Sequence, residues 1–108
     1  MTFEDVQASI DNAIRYLTDA ADYADMLAND TVTFEVEKAR TTEELRLDKV
    51  QASLIPSLVG SDPDVVIAHR QMLSTKGRYE TSKLLANAYM TQARLISDEL
   101  DRQNKEEK

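Results

Sequence analysis

The fold is decided by the stretch DPDVVIAHRQMLSTKGRYETSKLLANAYMTQARLISDELDRQ, residues 62–103. Asp62 suits a helix N-cap, and Pro63 suits the first helical position, where its missing N–H costs nothing. The residues predicted to point inward then recur every seven positions: Val65, Met72, Tyr79, Ala86, Ala93 and Leu100. A seven-residue spacing keeps one stripe of a helix against a partner helix. The sequence therefore predicts a helix over residues 63–104 that packs along another helix, followed by a frayed tail over 105–108.

The composition favours an all-α fold in a single domain, residues 1–108. The chain has two glycines and two prolines, whereas sandwiches and barrels need turn residues every few positions. It has no cysteine, which excludes disulfides, thiolate metal sites and a cysteine nucleophile. No stretch approaches the roughly 20 apolar residues of a membrane span. We therefore expect a cytoplasmic protein with no membrane segment.

The first helix is predicted over residues 3–29, with Thr2 as its N-cap. Its apolar residues form three columns at helical spacing, a face wider than one two-helix seam needs. The columns are Phe3, Ile10, Leu17 and Ala24; Val6, Ala13, Ala20 and Leu27; and Ile14, Ala21 and Ala28. This helix is therefore expected to contact more than one neighbour.

A break is expected at residues 29–31, where the Asn-Asp-Thr sequence can stop a helix. Residues 31–37 alternate polar and apolar side chains like a strand, but an isolated strand has no partner in this chain, so helix is favoured. A second helix is predicted over 32–55, with Leu47, Val50 and Leu54 pointing inward and a kink near residue 41 as an alternative. Pro56 is expected to end it, and residues 57–61 to form the turn.

These elements predict an all-α fold, either a long antiparallel helical hairpin or a three-helix bundle, with coiled-coil-like packing. In the hairpin, facing residues would have numbers that sum to about 118, because the turn would centre on the Pro56–Pro63 segment. The wide apolar face of the first helix needs a further neighbour. Self-association into a homodimer or larger oligomer supplies it in the hairpin, and folding back supplies it in the bundle.

A polar middle is the first candidate site. Arg40 and Glu43 would face the segment 75–82 on the register above. Cationic side chains and an aromatic ring suit an anionic nucleotide, whose phosphates they bind and whose base the ring stacks on. The candidate ligand-binding residues are Arg40, Lys76, Arg78, Tyr79 and Lys83. The alternative is that this polar layer fixes helix register and oligomeric state.

An acidic surface is the second candidate. Residues 1–31 carry seven acids and one base, a balance of −6, within a chain of net charge −7. Asp19, Asp22 and Asp25 share one helical face and are predicted to bind a partner protein with a basic surface. Their alternative roles are a divalent-cation site or, more simply, solvated surface. The acidic balance argues against strong direct binding to nucleic acid.

Catalytic residues, metal and cofactor are not expected. All-α nucleotide pyrophosphohydrolases bind magnesium through paired acidic motifs, which Glu43 and Glu44 could form with Asp98, Glu99 and Asp101. The predicted register places these groups roughly 36 Å apart. His69 has no histidine or cysteine companion for zinc, and the STKGR sequence at 74–78 lacks the order of a phosphate-binding loop. A non-enzymatic protein is therefore favoured over a magnesium-dependent hydrolase.

Four segments between Glu35 and Asp101 resemble a known group of proteins. They read EVEKAR at 35–40, LDKVQA at 47–52, RYETSKLLANAY at 78–89 and ISDEL at 96–100. They are similar to small all-helical accessory proteins encoded by tailed bacteriophages. The resemblance implies an early-region accessory product, in the host cytoplasm, without a settled activity. The acidic composition favours a factor that binds a host or phage protein. A nucleotide-binding sponge is the alternative function.

Overall fold

The computed structural model describes residues 1–106 of the chain. These residues form α1 (Phe3–Leu47), a 3-10 turn (Ala52–Leu54), α2 (Ile55–Ser61) and α3 (Pro63–Glu106), and they contain no strand. Helix α3 runs antiparallel to α1 and packs on it. The all-α fold predicted from the sequence, a helical hairpin or bundle, is confirmed. Of the predicted frayed tail, Lys105 and Glu106 belong to α3 and residues 107–108 lie outside the described part.

The chain divides into two compact units. Unit 1 comprises Met1–Asp22 and Arg78–Lys108, and unit 2 comprises Tyr23–Gly77. Each unit therefore contains part of α1 and part of α3.

The inward stripe of α3 follows the predicted seven-residue repeat. Val65, Ala86 and Ala93 are buried, and Met72, Tyr79 and Leu100 are half-buried. A second column lies three residues after each of the first five members of this stripe: Ala68, Thr75, Ser82, Tyr89 and Ile96. The alternating spacing of three and four residues is that of the core positions in a coiled coil.

One of the three predicted apolar columns of α1 lies in this seam. It is Val6, Ala13, Ala20 and Leu27, and it continues through Phe34 and Thr41, beside a column of Ser9, Tyr16, Tyr23, Asp30 and Glu37. The large side chains of the other two columns lie largely outside the seam. Phe3 is 75% exposed, Ile14 55% and Leu17 53%. The wide apolar face of α1 is thus only partly covered within the chain.

Helix α1 does not break at residues 29–31. The predicted boundary between helices 3–29 and 32–55 is wrong, as is the kink near residue 41, because α1 is continuous to Leu47. Thr31 and Thr33 donate their hydroxyl protons to the carbonyl oxygens of Leu27 and Asn29, at 2.7 and 3.1 Å. These bonds satisfy the hydroxyls without interrupting the backbone helix. Residues 31–37 are helical, as the favoured interpretation had it.

Helix α1 ends at Leu47 instead of residue 55, in a Schellman turn. Lys49 takes a left-handed backbone conformation with φ 58°. Its N–H bonds the carbonyl of Arg46 at 3.0 Å, and the N–H of Val50 bonds the carbonyl of Leu45 at 3.0 Å. Of the three residues predicted to point inward here, Leu47 is 72% and Leu54 52% exposed, and Val50 is half-buried.

Pro56 begins a helix instead of ending one. It occupies the first turn of α2, where a proline needs no hydrogen-bond acceptor for its nitrogen. Residues 57–61, predicted as a turn, are therefore helical, and Val59 is buried. The chain then enters α3 as predicted. The carboxylate of Asp62 accepts hydrogen bonds from the N–H groups of Asp64 and Val65, at 3.0 and 3.2 Å.

The predicted hairpin register is wrong by about four helical turns. Contacting pairs within each unit have residue numbers that sum to between 101 and 105, whereas the prediction was about 118. The pairs are Ser9 with Gln92, Tyr16 with Tyr89, Asp30 with Thr75, Phe34 with His69, and Arg40 with Asp64. Part of the shift comes from the connection, which occupies residues 48–62 and therefore centres on residue 55, about four residues before the centre of the predicted turn.

Replacing Lys49 by glycine should stabilise the protein. A left-handed conformation costs a non-glycine residue about 1–2 kcal/mol, and glycine loses part of that gain through the greater freedom of the unfolded chain. We expect Lys49→Gly to raise the free energy of unfolding by about 0.5–1 kcal/mol, measured by urea unfolding followed by circular dichroism. Lys76→Gly, at an exposed position inside α3, is the control and should lower it by about 1 kcal/mol. Destabilisation by Lys49→Gly would contradict the Schellman ending.

Candidate interaction surfaces

Two polar pairs lie in the seam. In unit 2, Thr75 is 2% exposed, and its hydroxyl donates to the carboxylate of Asp30 at 2.6 Å. In unit 1, the hydroxyl of Ser9 donates to the side-chain carbonyl of Gln92 at 3.2 Å. A shift of register would leave these groups without hydrogen-bond partners in a seam that is partly shielded from water. The free-energy cost of such unpaired groups exceeds the stability that the bonds contribute when they are formed. The pairs therefore favour one alignment of α1 on α3.

An aromatic stack spans the seam of unit 1. The rings of Tyr16 and Tyr89 are parallel within 8°, with their centroids 5.7 Å apart. The guanidinium of Arg15 lies 4.8 Å from the Tyr16 centroid and donates to its hydroxyl oxygen at 3.0 Å. Arg15 is the single base among residues 1–31, and this contact fixes its position on α1.

A second stack occurs in unit 2. The rings of Phe34 and His69 are 4.7 Å apart at 18°, and Nζ of Lys38 lies 4.5 Å from the Phe34 centroid. His69 has no histidine or cysteine companion for zinc in the sequence, and in the structure its ring packs against Phe34. Both stacks depend on the register of the seam. They were not predicted from the sequence because the predicted register was wrong.

Arg40 is held by carboxylates. Its guanidinium donates to Glu37 and Glu44 at 2.7 Å each and to Asp64 of α3 at 3.2 Å. The hydrogen bonds to Glu37, and then those to Glu44, raise the pKa of the guanidinium above its ordinary value. The predicted position of Arg40 opposite residues 75–82 is wrong, because it pairs with Asp64. Three carboxylates around one cation leave this location negatively charged, which disfavours an anionic ligand.

The other candidate ligand residues follow one another on α3. Lys76, Arg78 and Lys83 are exposed, and Tyr79 is half-buried. Nζ of Lys83 lies 5.2 Å from the ring centroid of Tyr79, a cation–π contact within one helix. The boundary between the units falls between Gly77 and Arg78, so Lys76 and Arg40 belong to unit 2 and the other three residues to unit 1.

The three aspartates of the acidic candidate surface lie on α1. Asp22 and Asp25 are exposed and Asp19 is half-buried. Asp19 and Asp22 belong to unit 1, and Asp25 to unit 2. Among residues 1–106, no group of three or more histidine, cysteine, aspartate or glutamate side chains is arranged to hold a metal ion. The structure therefore gives no support to the divalent-cation alternative for these aspartates.

The acidic residues considered for magnesium chemistry belong to different units. Glu43 and Glu44 lie in unit 2, while Asp98, Glu99 and Asp101 lie in unit 1. Glu44 pairs with Arg40, and Glu99 pairs with Arg102, whose hydrogen bond lowers the pKa of the Glu99 carboxyl. Residues 74–78 are part of the continuous helix α3, which lacks the loop that phosphate binding needs.

An apolar groove of about 840 Å³ lies along α3 in unit 1. Its lining includes Met1, Leu85, Ala88 and Leu95. Leu95 is 64% exposed. This groove was not predicted from the sequence, although residues 85, 88 and 95 recur at helical spacing outside the seven-residue stripe. A second groove, of about 660 Å³, lies in unit 2 between the end of α1 and α2.

Comparisons with known proteins give no relative. No protein-family model, no curated protein and no solved structure matches the chain. Within residues 1–106, none of the helices combines the length and the apolar character that crossing a membrane requires.

Removing the Thr75 hydroxyl should destabilise unit 2. Thr75→Val leaves the Asp30 carboxylate without this hydrogen bond in the seam, and we expect a loss of about 1–3 kcal/mol in the free energy of unfolding. Thr81→Val makes the same chemical change at an exposed position of α3 and should stay within about 0.5 kcal/mol of the parent. Both are measured by urea unfolding.

The double variant Asp30→Leu, Thr75→Val distinguishes the polar pair from simple packing. Replacing both partners by apolar side chains should recover most of the loss, because no polar group then remains unpaired. If Thr75→Val is as stable as the parent, the pair does not hold the seam in register.

Proposed function

We propose that this chain is a non-enzymatic, homo-oligomeric helical protein that captures a basic surface of another protein through the acidic side of α1. The observation that supports this most is the arrangement of charge along α1. Glu4, Asp11, Asp22 and Asp25 are exposed, and the single base of the segment, Arg15, lies against the ring of Tyr16. A helix that presents carboxylates and few cations attracts a positively charged surface and steers its approach.

A protein groove that binds nucleic acid is the kind of partner this charge pattern fits. Such grooves cluster lysine and arginine to neutralise phosphates, and a row of carboxylates on a rigid helix can occupy the same positions. The resemblance of residues 35–101 to accessory proteins of tailed bacteriophages is consistent with this role. On that basis the partner is a host or phage protein and the place of action is the host cytoplasm.

Two other functions have less support. A nucleotide sponge would use Arg40, which is instead held by Glu37, Glu44 and Asp64. A magnesium-dependent hydrolase would need acidic motifs that share one metal, and the candidate motifs belong to different units. We therefore propose a binding function without catalysis.

Charge reversal on α1 tests the proposal. The bait carries Asp19→Lys, Asp22→Lys and Asp25→Lys, and it should lose a basic protein that the parent chain captures from a bacterial lysate. The control carries Glu80→Lys, Asp98→Lys and Asp101→Lys, three exposed positions on α3 with the same total change in charge. Quantitative mass spectrometry of the captured proteins is the readout.

We expect the α3 control to retain the partner that the α1 variant loses. Capture by the parent should also weaken as salt is added, because the attraction between exposed charges is screened. Equal loss in both variants would show that net charge alone is responsible, and undiminished capture by the α1 variant would contradict the proposed surface.

The chain itself should not bind DNA appreciably. The seven lysine and arginine residues of α3 are exposed but dispersed along a helix of 44 residues, and the chain carries 20 acidic and 13 basic residues. In a mobility-shift titration at about 50 mM salt, we expect no shift of single- or double-stranded DNA at micromolar protein, since affinity depends on the number of neutralised phosphates. A tight, salt-sensitive shift that Arg78→Ala and Lys83→Ala abolish would contradict the proposal and make these two residues functional.

A further inference from the structure

Helix α1 carries a second seven-residue repeat that α3 does not cover. Its members alternate at spacings of four and three residues, as core positions of a coiled coil do. They are Phe3, Gln7, Ile10, Ile14, Leu17, Ala21, Ala24 and Ala28; we call this set the outer stripe. Ile10 and Ala24 are half-buried at the margin of the seam, and the rest are exposed.

Gln7 is the one polar member of the outer stripe. Its side-chain amide donates to the carboxylate of Asp11 at 2.9 Å, a bond between neighbours on the same helix. The amide is thus satisfied without a partner from another helix, and only its aliphatic stem needs to be covered. The outer stripe therefore has no unpaired polar group that would oppose the docking of an apolar helix.

The exposed area of the chain supports such docking. The chain exposes 7829 Å², whereas a compact monomer of its 12.2 kDa mass exposes about 6,100 Å², a difference of about 1,700 Å². A protein–protein interface of standard size buries about 800 Å² on each partner. The surplus, which is spread over the whole chain, exceeds the area that one copy buries in such an interface.

The order of side-chain sizes indicates what covers the stripe. Its large members, Phe3, Ile10, Ile14 and Leu17, occur in the first half, and the alanines follow. An antiparallel copy in which facing residues sum to 31 places Ile10 against Ala21 and Ile14 against Leu17. Continued along the sequence, the same alignment pairs position 3 with position 28 and position 7 with position 24. Phe3 and Ile10 then meet alanines, while Ile14 meets Leu17 at the centre, so neither end of the seam is crowded with large side chains.

We propose that a second copy of this chain packs on the outer stripe, with the two α1 helices antiparallel and a two-fold axis passing between positions 15 and 16. This inference deepens the proposed homo-oligomeric state and does not depend on the capture of a basic partner. The interface is isologous, so each residue of the stripe is used twice. Antiparallel helices also oppose their macrodipoles favourably.

The parallel arrangement is disfavoured. It places Phe3 against Phe3 and alanines against alanines. One end of the stripe is then crowded, and the other end is loosely packed. The groove along α3, near Leu95, is the rival docking surface in unit 1.

A single charge in the stripe tests the dimer. Leu17→Glu should raise the dissociation constant by about 100-fold or more, because the two-fold axis places two copies of the charge in an apolar seam. Sedimentation equilibrium of the full chain measures it, and circular dichroism should show unchanged helix content, since Leu17 is 53% exposed. Leu84→Glu and Leu95→Glu, at 69% and 64% exposed positions of α3, are matched controls that should stay dimeric.

Cysteine cross-linking tests the alignment. The chain has no cysteine, so each introduced thiol is the sole one. An oxidised mixture of the variants Ile10→Cys and Ala21→Cys should yield a mixed disulfide dimer, because the two positions face each other. Each variant alone should not, because in the antiparallel pair its two thiols are about 16 Å apart along the helix axis and a disulfide needs Cα atoms within about 7 Å.

Each outcome decides the proposal. Cross-linking of Ile10→Cys with itself indicates the parallel pair and overturns the alignment. A monomeric parent chain, or dissociation by Leu95→Glu instead of Leu17→Glu, overturns the surface. The dimer and the capture of a basic protein are tested separately. A monomeric variant that still captures the basic protein leaves the capture function intact. Loss of capture by a cross-linked antiparallel dimer contradicts the capture function and leaves the dimer intact.

Discussion

The rest of the structure depends on a seam made of small side chains. Five of the eight buried apolar residues among those described are alanines, and the largest side chain that is almost completely buried is that of Thr75. Small residues let the backbones of α1 and α3 approach closely, but each alanine contributes only about 0.8 kcal/mol of burial, against 1.5–3 kcal/mol for a valine or leucine. The α1–α3 pairing is therefore specific in register and limited in the apolar area that it removes from water.

This limit explains the composition of the surface. The large apolar residues absent from the seam are on the outside of the helices, including Phe3, Ile14 and Leu17 on α1 and Leu84 and Leu95 on α3. Because polar side chains occupy part of the seam, the register comes from hydrogen bonds such as that between Thr75 and Asp30. The apolar side chains left exposed on both helices are available for association. The acidic side chains of α1 are available for recognition of a partner.

Much of the fold could be predicted from the sequence, because helix period and cap chemistry are local. The stripe from Val65 to Leu100 and the cap at Asp62 depend only on spacing and side-chain type. The break at residues 29–31 was wrong because a threonine hydroxyl can bond the carbonyl four residues before it, and the sequence does not show which partner it takes. The predicted end of α1 was wrong because a lysine side chain gives no indication that the backbone at position 49 is left-handed.

The site residues were harder to predict, because each depends on register. An error at the connection moved every facing pair, so Arg40 was expected opposite residues 75–82 and instead pairs with Asp64. This error did not affect the prediction for the aspartates of α1. Their exposure depends on which face of one helix they occupy and not on the register between helices. The wide apolar face of α1 could also be predicted, and its need for a further neighbour follows from the residues alone.

The most direct measurement of the central claim is the midpoint of heat unfolding as a function of protein concentration. If the small-residue seam is completed by a second copy, the midpoint rises as the chain concentration is increased over about a hundredfold range, because association stabilises the folded state by mass action. A midpoint that stays constant over that range would show that the α1–α3 seam is sufficient alone and would contradict this account.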